Sequence, residues 1–421
     1  MAKIYAVKAS SIYDSNGWPT VEVTVWLDNG DFGVSSAPSS VHTDETEMIE
    51  LRDGDQQAFF GNGVSKAIDL INNQISPKLR GLDPTRQSAV DQILLEMDST
   101  PNKKVVGINT ILPISQAVLK SGASLFQMPL YEYMARKYQL TKGPVIMPVP
   151  IVTIINGGIK SLGNIDFSEF HIIPSSRYST SQALQISSEM SLAVEKSLIG
   201  NNAINSVGPQ GGYTPNLFTN LDALELISES VKFTKYFLGQ DLFLGIDVQA
   251  DNLVSGSKYI IKDRSKKLSQ NDFIAYFEEI NKKYHIFGLE DPLISSDWKG
   301  WQDVTEKLGT DTLIIADHLT ACNKTKIAQA VKLKACTAIV IKPNQIGSVT
   351  ECMQIISQVK SAGINVIIAN RLGETTDTYL ADLAVGVGAA YVKFGGMARG
   401  ERIVKYNRLL QISESLKATA A

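Results

Sequence analysis

The chain is poor in the residues that build disulfide frameworks and transition-metal clusters, with 3 cysteines and 4 histidines among 421 residues. Cys322, Cys336 and Cys352 have neither paired spacing nor the spacing of metal ligands. A disulfide framework and a cysteine-ligated zinc site are therefore excluded, and we expect reduced, buried thiols. The opening MAKIYAVKAS has no apolar signal-peptide core. These features predict a cytoplasmic protein.

An excess of one charge and long apolar runs are also missing. Lys and Arg total 40 against 43 for Asp and Glu, which gives a net charge of −3 at pH 7. We therefore expect no general attraction to nucleic acid or to an anionic membrane. No run is long enough to span a bilayer. With 44% hydrophobic residues, the composition is that of a globular chain of two or three domains.

The first third of the chain has the pattern of a small α+β domain. Residues 20–27, TVEVTVWL, place alternate apolar side chains on one face, and the turn DNG at 28–30 leads into FGV at 32–34. This pattern predicts a β-hairpin. Helical periodicity follows in three stretches: 64–80, 86–98 and roughly 111–137.

A proline-rich stretch, GPVIMPVP at 143–150, marks a boundary. We expect an N-terminal domain at 1–140 and a second domain at 141–421. Beyond the boundary, apolar runs of four or five residues alternate with helical stretches, which is typical of buried parallel strands. Each run ends on a polar or charged residue: Asp247, Glu290, Asp317, Lys342, Asn370 with Arg371, and Lys393. In a (β/α)8 barrel such positions meet at the C-terminal face, where active sites lie.

The types of these residues limit the chemistry. Asp247, Glu290 and Asp317 offer oxygen ligands for one hard divalent cation, most plausibly Mg²⁺. They could instead cap helices or pair with Lys or Arg. Lys342 and Lys393 follow on the same rim, where a second cation and a metal would lower a lysine pKa and make it a base. Either lysine could instead be an ion-pair partner of the carboxylates. Together, the carboxylates and lysines suit removal of a proton from a carbon next to a carboxylate. The metal would stabilise the resulting ene-diolate.

Several long segments resemble enolase (phosphopyruvate hydratase). They are SNGWPTVEV at 15–23, LEDP at 289–292, KPNQIGS at 342–348, GETTDTYLADLAVG at 373–386 and ERIVKYNRLL at 401–410. The resemblance runs over nearly the whole chain. It implies a small α+β N-terminal domain followed by an enolase-type (β/α)8 TIM-like barrel, a homodimer and two Mg²⁺ ions.

The resemblance also implies roles for individual residues. Lys342 matches the base that takes the proton from C2 of 2-phosphoglycerate, and Lys393 matches the lysine on the substrate carboxylate side. Arg371 matches the arginine that binds phosphate, and Glu169 matches a glutamate on the side where water is eliminated. The first Mg²⁺ would be held by Asp247, Glu290 and Asp317.

One departure from the family concerns the general acid. The family places a glutamate in a GDEGG loop, and this glutamate helps hydroxide to leave. The corresponding stretch here is Gly208-Pro209-Gln210-Gly211-Gly212. Gln210 keeps the shape of a glutamate but has no acidic proton to give.

Other departures lie in the same half of the implied site. Lys160 and Asn370 stand where the family has histidines, and Leu372 replaces a serine that contacts phosphate. Ser168 replaces a glutamine. His42 stands where a serine of a mobile loop helps to bind the second Mg²⁺.

Three functions remain open from the sequence. The first is a catalytically impaired or inactive enolase homologue that binds Mg²⁺ and a small phosphorylated or α-hydroxy carboxylate ligand. The second is a functional enolase of glycolysis, in which Glu169 or water supplies the proton. The third is altered chemistry, such as proton exchange, epimerisation or elimination, on another α-hydroxy carboxylate.

Overall fold

The computed structural model describes residues 2–39, 48–141, 143–161 and 165–420. The chain forms two compact units. The first consists of Met1–Ile146, Lys342–Gln358 and Asn370–Gly388, and the second of Met147–Ile341, Val359–Ala369 and Ala389–Ala421. Among the described residues, no helix is both long enough and apolar enough to cross a membrane.

The first unit is built on a three-stranded antiparallel sheet of β1 (Ile4–Tyr13), β2 (Pro19–Leu27) and β3 (Phe32–Ser36). The predicted hairpin is confirmed, because β2 and β3 pair with Trp26 opposite Phe32. The alternate apolar residues of β2 are fully buried, and they pack with the helices of this unit. β1 was not predicted from the sequence.

Helices cover the core face of this sheet. They are α1 (Ser65–Leu70), a π-helical stretch (Ile71–Ile75), α2 (Ser76–Leu79), α3 (Gln87–Met97), α4 (Ile108–Leu125), α5 (Leu130–Tyr138) and α12 (Tyr379–Gly386). The prediction of one helix over 111–137 is wrong. Gln127 adopts a left-handed conformation with φ 51°, and Pro129 caps the start of α5, so the chain forms two helices.

The second unit contains a closed eight-stranded barrel with the order β10-β11-β12-β13-β4-β5-β6-β9. Its strands are β4 (Val149–Asn156), β5 (Glu169–Pro174), β6 (Leu242–Asp247), β9 (Ile286–Glu290), β10 (Leu313–Ala316), β11 (Ala338–Ile341), β12 (Asn365–Ala369) and β13 (Tyr391–Gly395). β5 is antiparallel to both of its neighbours, whereas the other neighbouring pairs are parallel. A short hairpin, β7 (Val254–Ser255) with β8 (Lys258–Tyr259), lies outside the barrel order.

The helices that accompany the barrel strands begin at well-defined caps. Ser179, Thr219 and Ser269 each form a capping box at the start of a helix, which satisfies free backbone N–H groups there. The helices are α6 (Thr180–Gly200), α7 (Asn220–Ser230), α8 (Gln270–Tyr284), α9 (Trp298–Leu308), α10 (Lys324–Leu333) and α13 (Gly400–Ala420). A further helix, α11 (Val349–Ser361), lies mostly in the first unit. The predicted fold class, a small α+β part followed by a barrel, is confirmed.

Candidate active site

Three carboxylates stand at the C-terminal ends of neighbouring barrel strands. Asp247 is the last residue of β6, Glu290 is the last residue of β9, and Asp317 directly follows β10. Asp247 and Glu290 are register partners in the parallel pair β6–β9. All three side chains are buried. The structure therefore brings the predicted metal ligands to one end of the barrel.

Lys393 projects into this group of carboxylates from β13. Its Nζ donates to Asp247 Oδ2 at 2.9 Å and to Glu290 Oε2 at 2.8 Å. Burial alone would lower the pKa of Lys393, but Asp247, Glu169 and Glu290 outweigh it and raise that pKa well above its ordinary value. The lowering of a lysine pKa expected next to a bound metal stays a prediction, because this direction holds for Lys393 among the carboxylates alone. Lys393 is therefore a permanent cation suited to holding an anion.

The carboxylate group has the features of a cation site. Asp247 Oδ1 and Glu290 Oε1 are buried and find no hydrogen-bond partner among the residues that the structure describes. Burial and the neighbouring Asp247 raise the pKa of Glu290 well above its ordinary value, although Lys393 acts in the opposite direction. Unpaired buried carboxylate oxygens are costly, and a hard divalent cation would satisfy them. These residues therefore fit a bound metal ion.

Asp291 is a member of this group that sequence reasoning missed. Among the described residues, two groups of side chains could hold a metal: Asp247 with Glu290 and Asp291, and Asp291 with Asp317 and His318. In each group the potential ligand atoms lie within 4.8 Å of one another. Asp291 Oδ1 also accepts from the backbone N–H of Asp317 at 3.1 Å, so Asp291 fixes the segment that carries that ligand. The sequence signal that could have identified Asp291 is its position next to Glu290 in LEDP.

Glu169 opens β5 and faces the same end of the barrel. Its Oε2 accepts from Thr153 Oγ1 at 2.7 Å and lies 3.2 Å from His171 Nε2. Burial would raise the pKa of Glu169, but Lys393, His171 and Thr153 outweigh it and lower that pKa. Burial lowers the pKa of His171, so a neutral imidazole faces a carboxylate. His171, which fixes the orientation of Glu169, was also missed from the sequence.

The loop of Gly208 to Gly212 is held in place by its backbone. Arg402 Nη2 donates to the carbonyl of Pro209 at 3.2 Å, and the backbone N–H of Gly396 donates to the carbonyl of Gln210 at 2.7 Å. Gly211 has φ +85°, and a Cβ there would lie 2.8 Å from the carbonyl oxygen of Ala398. The loop thus requires glycine for close backbone approach. The side-chain Oε1 of Gln210 is buried, and no described residue donates a hydrogen bond to it.

Four other candidates belong to the first unit. Lys342 directly follows β11 and precedes a short 3-10 helix, Pro343–Gln345. Asn370 directly follows β12 and is buried. The backbone N–H of Arg371 donates to Glu374 Oε1 at 2.9 Å, and the carbonyl of Leu372 accepts from Ser15 Oγ at 3.0 Å.

The remaining candidates precede the loop of Gly208 to Gly212 in the sequence. Ser168 is buried, and its backbone N–H donates to the carbonyl of Asp247 at 2.9 Å, next to the carboxylate group. Lys160 ends a short 3-10 helix, Gly158–Lys160. His42 lies outside the described residues.

Comparison with known families gives two matches in the order of the two predicted domains. Residues 4–134 match the family model described as "Enolase, N-terminal domain". Residues 144–421 match the model described as "Enolase, C-terminal TIM barrel domain". Only residues 1–3 and 135–143 fall outside the matched ranges.

Proposed function

Because the chain belongs to the enolase family, we propose that it is a catalytically impaired or inactive enolase homologue. It keeps the first metal site and the lysine base of the family but lacks the general acid. The observation that carries this proposal is Gln210, whose loop is fixed by backbone hydrogen bonds although its side chain has no acidic proton.

In this proposal Asp247, Glu290 and Asp317 hold one Mg²⁺. The unpaired oxygens of Asp247 and Glu290 support this assignment. The ion, when bound, supplies positive charge that stabilises negative charge developing on a carboxylate ligand. Lys393 adds a second, permanent positive charge beside those carboxylates. A small carboxylate ligand would therefore be attracted to this end of the barrel.

Proton removal is assigned to Lys342, and phosphate binding to Arg371. Both assignments rest on the match of KPNQIGS and ANRLGE to the family pattern. The ligand is then a small phosphorylated or α-hydroxy carboxylate, with 2-phosphoglycerate as the reference compound. All the groups needed for taking a proton next to a carboxylate are present in the sequence.

Loss of hydroxide is the step that we propose to be impaired. Glu169 is a poor replacement acid, because its Oε2 accepts from Thr153 and lies within hydrogen-bond distance of His171, which suits a carboxylate. Loss of a general acid typically costs about 10²–10⁴-fold in rate. Four further changes fall on the same half of the implied site: Lys160, Asn370, Leu372 and His42.

The first alternative is a functional enolase that interconverts 2-phosphoglycerate and phosphoenolpyruvate in glycolysis. The intact group of Asp247, Glu290 and Lys393 favours it over loss of all function. Altered enolase-superfamily chemistry on another α-hydroxy carboxylate is the second alternative. The grouping of the replacements in one half of the site favours this second alternative.

We also propose that the protein is a cytoplasmic homodimer. The three cysteines are buried and form no disulfide within the described part of the chain, which suits a reducing compartment. Three exposed aromatic residues of the first unit, Tyr13, Phe59 and Phe60, offer apolar surface for a second copy. Analytical ultracentrifugation of the parent chain and of Phe60→Ser tests this, and a parent chain that sediments as a monomer would contradict it.

Phosphoenolpyruvate formation from 2-phosphoglycerate tests the proposal for the active site. With saturating Mg²⁺ we expect a rate at least ~10³-fold below that of a complete enolase, because the acid and the phosphate contacts are both altered. A turnover in the ordinary enzyme range of roughly 1–10³ s⁻¹ would establish the functional alternative instead.

A further inference from the structure

A cavity of about 520 Å³ lies in the first unit, and none of its lining residues is a candidate active-site residue. Its walls come from the start of α3, the end of α5 and one face of α11. The residues from α11 are spaced as one helical face: Thr350, Met353, Gln354 and Ser357. The volume falls within the range of small-molecule sites, which is roughly 300–1,000 Å³.

The N-terminus of α3 contributes to this cavity and lacks the usual caps. Arg86 stands at the N-cap position, and its side chain makes no capping hydrogen bond. The first turn of this 11-residue helix contains no acidic residue. The partial positive charge of the helix end is therefore not neutralised by its own residues. By contrast, α6, α7 and α8 all begin with capping boxes.

Two cationic side chains line the same cavity. Lys137 is partly buried, and its Nζ donates to the carbonyl of Thr85 at 2.5 Å. Neither Lys137 nor Arg86 forms an ion pair with a carboxylate within the part of the chain that the structure describes. Burial lowers the pKa of Lys137, whereas the nearby Asp83 and Asp91 act in the opposite direction. A partly desolvated cation without a carboxylate partner favours an anionic ligand.

The other residues that line the cavity suit the hydroxylated organic part of a ligand. Gln87 is 2% exposed, and its Oε1 finds no hydrogen-bond partner among the described residues, while its Nε2 is bound to Asp91 and to Ser115. The buried hydroxyl of Tyr138 likewise has no partner within the described part of the chain. Polar groups left in this state are costly, so a small shift of either side chain towards a ligand hydroxyl would be favourable. Leu140 and Met353 add apolar surface for the carbon skeleton.

We propose that this cavity binds a phosphate monoester of a hydroxylated metabolite, either a sugar phosphate or a nucleoside monophosphate. Its phosphate lies at the N-terminus of α3, next to Arg86 and Lys137. Backbone N–H groups at a helix start and charge-assisted hydrogen bonds from two cations recognise the phosphate. The sugar or nucleoside part of the ligand lies against Leu140 and Met353. This binding site is separate from the proposed catalytic function and does not depend on it.

Calorimetry without added Mg²⁺ tests the proposal with three probes: adenosine monophosphate, ribose 5-phosphate and adenosine. We expect both phosphate esters to bind and adenosine not to bind. Tighter binding of adenosine monophosphate than of ribose 5-phosphate would identify a nucleotide as the ligand, and equal affinities would identify a sugar phosphate. Binding of adenosine as tight as that of its monophosphate, or no binding of either ester at millimolar concentration, would overturn the proposal.

Two variants locate the site. Ser88→Asp places a carboxylate at the second residue of α3, which stabilises a helix start but repels phosphate, so folding is preserved. We expect it to weaken adenosine monophosphate binding about tenfold or more, because it adds a negative charge beside the phosphate. Lys137→Met should have a similar effect.

The matched control is Ser181→Asp, the same substitution at the second residue of α6. It should leave the affinity for adenosine monophosphate unchanged, and an equal loss of affinity in Ser181→Asp and Ser88→Asp would contradict a specific site at α3. Arg371→Ala should also leave the affinity for adenosine monophosphate unchanged. If Arg371→Ala abolishes binding while Ser88→Asp does not, the ester binds at the candidate active site and the proposed cavity site is wrong.

Discussion

Lys393 Nζ lies 2.8 Å from Oε2 of Glu290 in the buried end of the barrel. The same ammonium group binds Oδ2 of Asp247, so it occupies one oxygen of each carboxylate. The other two oxygens, Asp247 Oδ1 and Glu290 Oε1, accept no hydrogen bond from any described residue. One pair of carboxylates can therefore hold Lys393 and a divalent cation at the same time. This arrangement is the basis for the first prediction.

Mg²⁺ should bind without any organic ligand at about one site per chain. Calorimetry measures this, and Asp247→Asn should lower the affinity at least about tenfold, because it removes a charged ligand while keeping the side-chain shape. Asp311→Asn is the control, since Asp311 is exposed near the opposite end of β10. A parent protein that binds no Mg²⁺ at millimolar concentration would leave these carboxylates as structural partners of Lys393.

Restoring the acid alone should recover little activity. Gln210→Glu returns a proton donor to a loop whose backbone is already fixed, but Asn370, Leu372 and His42 remain replaced. We expect phosphoenolpyruvate formation to rise by less than about tenfold, whereas restoring a general acid in an otherwise complete site is worth about 10²–10⁴-fold. Gln240→Glu, at an exposed position of the same unit, controls for added charge. A rise of about 10³-fold would mean that Gln210 is the single defect.

A partly buried ion pair in the first unit makes the stability of this unit depend on pH. Lys120 Nζ donates to Asp377 Oδ1 at 2.7 Å, and Ser35 Oγ donates to Oδ2 at 2.7 Å. Burial alone would raise the pKa of Asp377, but Lys120 and these hydrogen bonds outweigh it and lower that pKa below the ordinary 3.8. The ionised Asp377 therefore stabilises the folded state above 3.8, and this contribution is lost as the pH falls below that value.

Asp377→Asn tests this dependence in urea unfolding experiments. At neutral pH we expect a loss of about 3 kcal/mol in the free energy of unfolding, because Lys120 keeps a partly buried charge and the carbonyl of Val34 but loses its carboxylate partner. The difference from the parent should shrink in acid, as the parent carboxylate becomes protonated. Asp303→Asn, in the exposed pair with Lys299, should cost less than about 1 kcal/mol. A loss that is equal at neutral and acid pH would refute the electrostatic explanation.

Much of the barrel could be predicted from the sequence, because a strand buried on both faces leaves a short apolar run that stops at a polar residue. Asp247, Glu290 and Asp317 were found in this way. The last strand differs, since Lys393 lies inside β13 and the strand continues to Gly395. A charged side chain within a barrel strand interrupts the apolar run, so the apolar run in the sequence is shorter than the strand.

The start of the barrel could not be predicted. β4 follows a proline-rich stretch, and β5 carries Glu169 and His171 in its interior-facing alternation, so neither strand has a clean apolar pattern. The reversed direction of β5 has no local sequence signal, because it depends on the pairing of this strand with β4 and β6. Asp291 escaped notice for a similar reason. Its proximity to Asp317 is a consequence of the neighbouring strands β9 and β10.

The central claim is that proton removal survives while elimination is impaired, and one measurement tests both halves together. The protein is incubated with 2-phosphoglycerate and Mg²⁺ in D₂O, and proton NMR follows deuterium at C2 and phosphoenolpyruvate in the same sample. Lys342→Ala should stop the exchange because it removes the base, and Lys332→Ala on α10 is the control. We predict deuterium at C2 that accumulates without matching phosphoenolpyruvate. Phosphoenolpyruvate formed as fast as deuterium is incorporated, or no incorporation by the parent protein, would contradict the account.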